Sequence, residues 1–405
     1  MNVEIRPCRD REELQSYGQV VSYVFSINQD EDMERELQAV EPEWTMCAFV
    51  DGRVVSTYGA FPFTVRLNGS PVEMGGVTAV GTLPHHRRKG LLRKTMTAGL
   101  HAMHERGQPF GILWASMGAI YQRFGYGLAT PHIAYKFDPR NVELLPGQRT
   151  PGRCELIESE NALEQIRPVQ EAYAASRNMV IERPPYLWKM GALRSREKRK
   201  VYTAVYRNAA GEVTGYVVYN TREAPRDELG PNQVLEVQDL AWLDLDAYRG
   251  LWEFIRSHDL VYEVQIRGLV GEDDPMQELL FEPRMVDKRT VDGVWMRIVD
   301  VERGLAARPY REPGALCLEV VDDLLPWNNG RWAFETDGTA TTVSRTVREP
   351  ELTMPVATLA TLISGHRGAT VLERAGKLEA ASMAALRRAD RMFATEYAPL
   401  TPDDF

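Results

Sequence analysis

Apolar and polar positions along residues 44–80 alternate as in an antiparallel meander. Residues 44–50 and 53–61 flank Asp51-Gly52, and residues 63–67 run into Asn68-Gly69 before an apolar stretch at 71–80. Both dipeptides suit type I′ hairpin turns, which need two residues at positive φ. Upstream, residues 11–25 and 31–40 repeat apolar positions at helical spacing. Downstream, 91–106 predicts a helix and 110–115 a short apolar strand ending near Trp114. A weaker echo follows between 150 and 298: strands at 201–207 and 213–220 around Asn208 to Gly211, an apolar strand at 233–242, and a helix at 248–258. The last hundred residues change character. Strands are expected at 316–322, 330–335 and 341–347, helices at 355–363 and 383–394, and the tail 399–405 is held extended by Pro399 and Pro402.

This sets the fold class as α+β. With 405 residues, of which 44% are hydrophobic and 9% aromatic, the chain can fill more than one core, and two or three domains are expected. Lys and Arg number 48 against 57 Asp and Glu, a net charge of −9, which argues against a nucleic-acid footprint and accommodates a cationic substrate. No apolar run approaches the roughly 18 to 20 residues that span a bilayer, and the N-terminus lacks a signal-peptide core, so no membrane partner and a cytoplasmic location are expected. Cys8, Cys47, Cys154 and Cys317 are scattered without metal-ligand spacing and read as reduced thiols; no metal is expected.

Against this acidic background one basic segment stands out. Val80 and Thr82 end the meander, Pro84 and Gly90 bracket a turn carrying His85, His86, Arg87, Arg88 and Lys89, and Leu91 and Leu92 open the helix, with Arg93 beside them. A turn whose backbone N–H groups point outward, followed by a helix N-terminus, is a cradle for a diphosphate, and Gly90 leaves its backbone open to approach. The pattern resembles motif A of the GNAT acetyltransferases, V-x-V-x-P-x-x-[QR]-x-x-G-x-[GA], which binds the pyrophosphate of acetyl-CoA. Thr82 stands at the second apolar position, Arg87 at the Gln/Arg position, and Leu92 where Gly or Ala is usual. The resemblance makes Val80, Thr82, Arg87, Arg88, Lys89, Gly90, Leu91 and Leu92 donor-binding residues. The equivalent point of the second copy reads Leu243-Asp-Leu-Asp-Ala247, acidic and without glycine, and is assigned a structural role.

A second motif runs from Ser116, also placed with the donor-binding residues, to Tyr121-Gln-Arg-Phe-Gly125-Tyr126-Gly127. Such enzymes often carry a Tyr four residues before a Gly-aromatic pair, and Tyr121 has that spacing. Transfer to an amine needs orientation and proton management more than covalent catalysis. A phenol of pKa about 10 can protonate a leaving thiolate of pKa roughly 8.5, uphill by about 2 kcal/mol.

Taken with the three-part layout and the terminal Phe405, these motifs resemble the enhanced intracellular survival (Eis) family of N-acetyltransferases over essentially the whole chain. That resemblance implies tandem GNAT-like domains, each a mixed sheet with flanking helices, at 1–145 (donor site) and 146–298 (degenerate). A sterol-carrier-like α+β domain at 299–405 follows and delivers the C-terminus to the active site. It implies a homo-hexamer, acetyl-CoA as acyl donor, and acceptors that are polycationic small-molecule amines such as aminoglycosides; protein or peptide lysines or polyamines as acceptors are the alternative reading, and a non-catalytic CoA- or lipid-binding protein is a further one from another class. It also implies that the α-carboxylate of Phe405 assists deprotonation of the acceptor; in the sequence itself, Asp403 and Asp404 add negative charge beside it, which raises its pKa and attracts cations. The acidic run Asp30 to Glu36 and, more weakly, Phe25 are further candidates for the acceptor cleft; His85 and His86 are read as phosphate anchors or solvent-facing groups.

Overall fold

Two dipeptides at positive φ set the geometry of the first sheet. Asp51 and Gly52 stand at φ 48° and 80°, Asn68 and Gly69 at 49° and 91°, the type I′ pattern whose twist matches the strands it joins. β1 (Val3–Arg6) lies beside β2 (Cys47–Val50), and the two turns carry the chain through β3 (Arg53–Leu67) to β4 (Ser70–Thr82). β3 runs straight through Pro62, where the sequence pattern separates two strands. Pro62 pairs with Gly75, a register position that needs no N–H from it.

The computed structural model describes residues 2–28, 37, 40–146, 151–194, 200–224 and 229–405. Its chain falls into two compact units, Met1–Ala129 with Val294–Ala394 and Phe405, and Thr130–Gly293 with Thr395–Asp404. The helix expected at 31–40 falls almost wholly outside the described residues.

In the first unit, β4 and β5 (Phe110–Trp114) are parallel, so no tight turn can join them; the helix Leu91–Glu105 makes the crossover. Beyond β5 the sheet continues with the strand Val294–Ile298 and then β6 (Gly127–Leu128). Tyr58, Met96, Leu100, Met103, Leu113 and Tyr126 form the buried cluster that packs this helix on the sheet. The helix Arg11–Phe25 is capped by Asp10, whose carboxylate accepts from the N–H groups of Glu12 and Glu13. Cys8 and Cys47, distant in sequence, meet at an Sγ–Sγ distance of 3.8 Å, unbridged.

The same unit carries a five-stranded sheet in the order Thr341–Arg345, Gly330–Thr336, Gly314–Val321, Leu352–Pro355, Glu379–Ala380. Helices Val356–Ile363 and Met383–Met392 pack with it. Buried Arg308 donates to the carbonyls of Ile363, Phe393 and Ala394 at 2.9, 2.7 and 3.0 Å, so one cation serves the C-terminal ends of both helices.

The second unit is built on a seven-stranded sheet, ordered Asp287–Asp292, Pro131–Phe137, Val261–Arg267, Gln233–Trp242, Val213–Glu223, Val201–Arg207, Arg153–Ile157. A parallel pair in it, Gln233–Trp242 with Val261–Arg267, is again joined by a crossover helix, Leu245–Arg256, whose apolar face buries Tyr248, Leu251, Trp252 and Ile255. The helix Ser159–Ser176 contains Pro168 and had no counterpart in the sequence reading. Sheet membership changes at Thr130 and at Val294. Among the described residues no helix is long and apolar enough to cross a membrane.

Candidate active site

The first sheet opens where β4 and β5 part. They pair only through Met74↔Phe110, Gly75↔Gly111 and Gly76↔Ile112, yet β4 continues to Thr82. Along that free stretch Ala79 sits at φ 52° in a bulge opposite Thr57, whose hydroxyl donates to the Ala79 carbonyl at 2.7 Å. Main-chain groups of Val77 to Thr82 on the β5 side therefore lie outside the ladder. Val80 is half-buried against the helix cluster. The Thr82 hydroxyl is taken by Ser56 Oγ at 2.7 Å, so Thr82 offers only its backbone, and its carbonyl accepts from Arg87 Nε at 3.0 Å.

A short 3-10 turn, Pro84–His86, follows. Arg88 at φ 62° and Gly90 at φ 75° then swing the chain into the helix. Gly90 is the N-cap and supplies no side-chain acceptor, which leaves the first-turn N–H groups unsatisfied by the helix itself; a Cβ placed on Gly90 would meet nothing within 4 Å. Arg87, Arg88, Lys89 and Arg93 are exposed around this opening. Leu91 points into the core with Ala48, Val50 and Val55, and Leu92 packs against the helix cluster. Both therefore contribute through the backbone. From Gly90 a groove of about 750 Å³ extends past Arg93, Lys94, Thr97 and His101. The residues present thus fit a diphosphate: open amides, a helix dipole and several cations converge there. Next to them the His86 ring has its Nδ1 buried, bonded by no described residue, and burial, His85 and Lys89 all hold its pKa below the ordinary value.

Tyr121 lies on the helix Gly118–Gln122, 6% exposed, with its ring edge-on to Tyr126 at 5.9 Å. Burial raises its pKa above that of an ordinary phenol, so it holds its proton through the neutral range. It shares a buried cluster with Val77, Met103 and Tyr126, against which Val80, Leu92 and Ala115 pack, so the strand, the crossover helix and the second motif converge. Ser116, just past β5, is exposed.

The turn after Tyr121 is fixed by residues that the sequence did not single out. Gly125, at φ 78°, lies so close to Arg297 that a Cβ would come within 2.7 Å of its Nη1. Fully buried Arg297 donates from Nη2 to both oxygens of Asp322, at 2.7 and 2.6 Å, and Asp322 also accepts from Asn328 Nδ2 at 2.9 Å. Burial pulls the Arg297 pKa down and Asp322 offsets part of that effect. Two residues separated by 25 positions carry no sequence signal of pairing.

Phe405 packs edge-on to Phe63 at 5.1 Å, with Cδ2 3.3 Å from where a Cβ on Gly76 would stand. Gly76 is the last β4 residue paired with β5, so the terminal residue sits at the vertex of the opening. Asp403 is a different matter. It is buried in the second unit and accepts from Arg183 Nε at 2.7 Å, so it is an anchor of the tail and not the free negative charge expected beside the terminus. Phe25 is partly exposed at the end of its helix; the acidic run at 30–36 lies outside the described residues. Among the described residues no group of three or more His, Cys, Asp or Glu is placed to hold a metal.

The chain matches the acetyltransferase (GNAT) domain profile over residues 4–129, a second acetyltransferase (GNAT) domain profile over 180–300, and the sterol carrier protein domain over 301–402. An uncharacterized N-acetyltransferase of Streptomyces coelicolor is 30% identical across 100% of both chains. N-acetyltransferase Eis of Mycobacterium tuberculosis is 28% identical over 89% of this chain and 91% of that enzyme. Of solved structures, Eis1 of Mycobacterium abscessus aligns at a TM-score of 0.86 and 29% identity. A GCN5-related N-acetyltransferase of Anabaena variabilis aligns at 0.89 and 23%, a likeness of fold; both cover 100% of each chain. Two acetyltransferase profiles followed by a sterol carrier domain, with an N-acetyltransferase 30% identical over the whole length, show that the chain belongs to the GNAT-fold, acetyl-CoA-dependent N-acetyltransferases, related to Eis.

Proposed function

We propose that this enzyme works in the manner of the Eis acetyltransferases, moving the acetyl group of acetyl-CoA directly to a primary amine of a polycationic small molecule such as an aminoglycoside. The observation that carries the reading is Phe405 at the vertex of the β4–β5 opening. That placement supports the reading in which the Phe405 carboxylate handles the acceptor.

The donor supplies an activated thioester when bound. The backbone of Gly90, Leu91 and Leu92, with Arg87, Arg88, Lys89 and Arg93 around it, holds the diphosphate, and the free edge of β4 near Val80 orients the acyl end. Tyr121 keeps a proton on Oη. The amine nitrogen forms its bond to the acyl carbon as the carbon–sulfur bond breaks, the phenol gives its proton to the departing sulfur, and the proton then shed by the acylated nitrogen returns Tyr121 to the phenol. Burial raises the phenol and so makes this transfer harder from the Tyr121 side. A thiolate stripped of water in the same apolar cluster is raised as well, which restores the balance. With a reference pKa near 3.5, the Phe405 carboxylate is a weak base. Its work is to hold the substrate ammonium and pass the released proton to water.

The test is thiol release from acetyl-CoA with aminoglycosides, polyamines and lysine peptides on the full chain, on Tyr121→Phe and on a chain lacking Phe405. Turnover with aminoglycosides that collapses in both variants supports the assignment. Turnover confined to lysine peptides moves the acceptor to proteins, and CoA binding without turnover on any amine overturns the enzymatic reading. Sedimentation of the intact protein tests the hexamer that the resemblance implies.

A further inference from the structure

We infer that the second unit has become a receptor for the chain's own C-terminal segment, which is seated in the opening of its sheet, where an active copy takes its donor. The two sheets open in the same way. In the second, Gln233–Trp242 pairs in parallel with Val261–Arg267 from Gln233↔Val261 to Val237↔Ile266 and then continues alone to Trp242, after a register shift opposite Val218 and Tyr219. In the first, the pairing likewise stops at Gly76↔Ile112 while β4 goes on past a bulge.

What fills the second opening is residues 397–404. From the Gln233–Trp242 side, Asp239 is joined to the tail through Arg183. Its Nη1 and Nη2 donate to Asp239 at 2.5 and 2.9 Å, and its Nε donates to Asp403 at 2.7 Å, while Tyr216 Oη donates to Asp239 at 2.7 Å. Farther out on that strand the Arg177 guanidinium lies between the Trp242 and Tyr397 rings, 5.1 and 4.0 Å from their centroids. From the other side, past Val261–Arg267, Asp273 accepts from the Ala398 N–H at 2.9 Å. The Leu400 N–H donates to the Asn178 carbonyl at 2.9 Å and the Thr401 hydroxyl to the Met179 carbonyl at 2.7 Å. Leu400, Thr401 and Asp403 are buried.

These contacts are those of a bound peptide. A backbone bridge joins Asn178 and Pro399, the side chains of Pro399, Leu400 and Thr401 are buried, the Tyr397 ring meets Arg177, and the Asp403 carboxylate meets Arg183. The prolines Pro399 and Pro402 hold the segment extended before it binds, which lowers the entropy lost on ordering. At the place of the basic turn stands Asp244, whose carboxylate caps the helix by accepting from the Ala247 N–H at 2.7 Å, and Asp246 follows in the first turn. An anion has no seat there.

The experiment places a protease site between Ala394 and Thr395 in the full chain and cuts it after folding. The released peptide, residues 395–405, is expected to co-elute with the body on gel filtration and to exchange with a labelled synthetic copy. A copy carrying Asp403→Lys, which sets a second cation beside Arg183, should bind about tenfold or more weakly, and Asp403→Asn within about threefold of the native peptide. Hydrogen exchange on the uncut chain gives an arm independent of cutting, with the Leu400 amide protected and that protection lost in Arg183→Gln. Two results overturn the inference: exchange of the native peptide with a Kd weaker than about 1 mM, or a second equivalent of CoA bound once the tail is removed. The catalytic arm rests on the function proposed above and is read separately. A peptide ending in a carboxamide should bind as well as the native one yet restore no turnover. A native peptide that binds tightly but restores none leaves the receptor standing and removes the Phe405 carboxylate from the mechanism.

Discussion

Gly90→Ala separates what the basic turn does for the fold from what it does for the donor. Gly90 stands at φ 75° with nothing within 4 Å of an added Cβ, so the protein itself resists alanine only through backbone conformation. That strain is roughly 1–2 kcal/mol, offset by about 0.4–1 kcal/mol from the stiffer unfolded chain, which leaves a net loss on the order of 1 kcal/mol, and below about 1.6 kcal/mol, in unfolding free energy. Gly211 provides the control, because it has φ 83° and equally empty surroundings in a hairpin turn of the second unit. Gly211→Ala should lose the same stability in a denaturant titration. The two variants should part in the second assay. A methyl group at Gly90 stands in the space a diphosphate must enter to reach the helix amides. Losing one charge-assisted hydrogen bond, worth about 1.5–3 kcal/mol, weakens acetyl-CoA binding by roughly one to two orders of magnitude. Calorimetric titration with acetyl-CoA measures this directly, and Gly211→Ala should leave it unchanged. Equal donor affinity in both variants, with both destabilised alike, would refute the assignment of the turn.

Three other outcomes follow from the same geometry. Tyr121→Phe should lower kcat about a hundredfold while acetyl-CoA affinity by titration stays within about threefold, since the phenol acts on the departing sulfur and not on the diphosphate. Asp322→Ala leaves the Arg297 guanidinium buried without its carboxylate and should cost about 3–5 kcal/mol in a denaturant titration; an effect below about 1 kcal/mol would show that the pair does not hold the turn. Burial lifts the Asp403 carboxyl from 3.8 to about 6; Arg183 lowers it, Asp239 and Asp404 raise it further, and Tyr216 bonds Asp239 behind them. A carboxyl raised on docking takes up a proton there, so tail binding gains as pH falls through 6 and levels off below 3.8. The labelled peptide should bind about tenfold more tightly at pH 5 than at pH 7.5, and a fall in affinity over that range would contradict the sign.

What could be read from the sequence was local. Asp51-Gly52 and Asn68-Gly69 declare their turns because two adjacent residues must stand at positive φ, and the basic turn declares itself because Gly90 and its cations lie within one short segment. Phe405 entered through family resemblance; no periodicity marks a chain end as part of a site. Partners that hold the fold were hidden by distance. Arg183 and Asp403 meet across 220 positions, Cys8 and Cys47 across 39, and each alone is an ordinary residue. Strand pattern also says nothing of which sheet a strand joins. Residues 131–137 and 294–298 both alternate as strands should, yet the first lies in the sheet of the second unit and the second in that of the first. Pro62 misled in the opposite direction, suggesting a break where the register had no use for an N–H.

The placement of Val294–Ile298 bears on how the molecule is made. The strand stands between β5 and β6, pairing with both, although β6 leaves the ribosome long before it. Until then β5, with Ile112, Leu113 and Trp114, has one edge without its neighbour. That interval lasts as long as residues 130–293 take to be synthesised, on the order of ten seconds or more at ordinary rates. The first unit therefore cannot finish folding in the order of its own sequence, and an apolar edge must be kept from foreign strands while the second unit is still emerging. A fragment cut at Ala129 inherits that exposed edge permanently, so the acetyltransferase unit is not separable at the limit where its family profile ends.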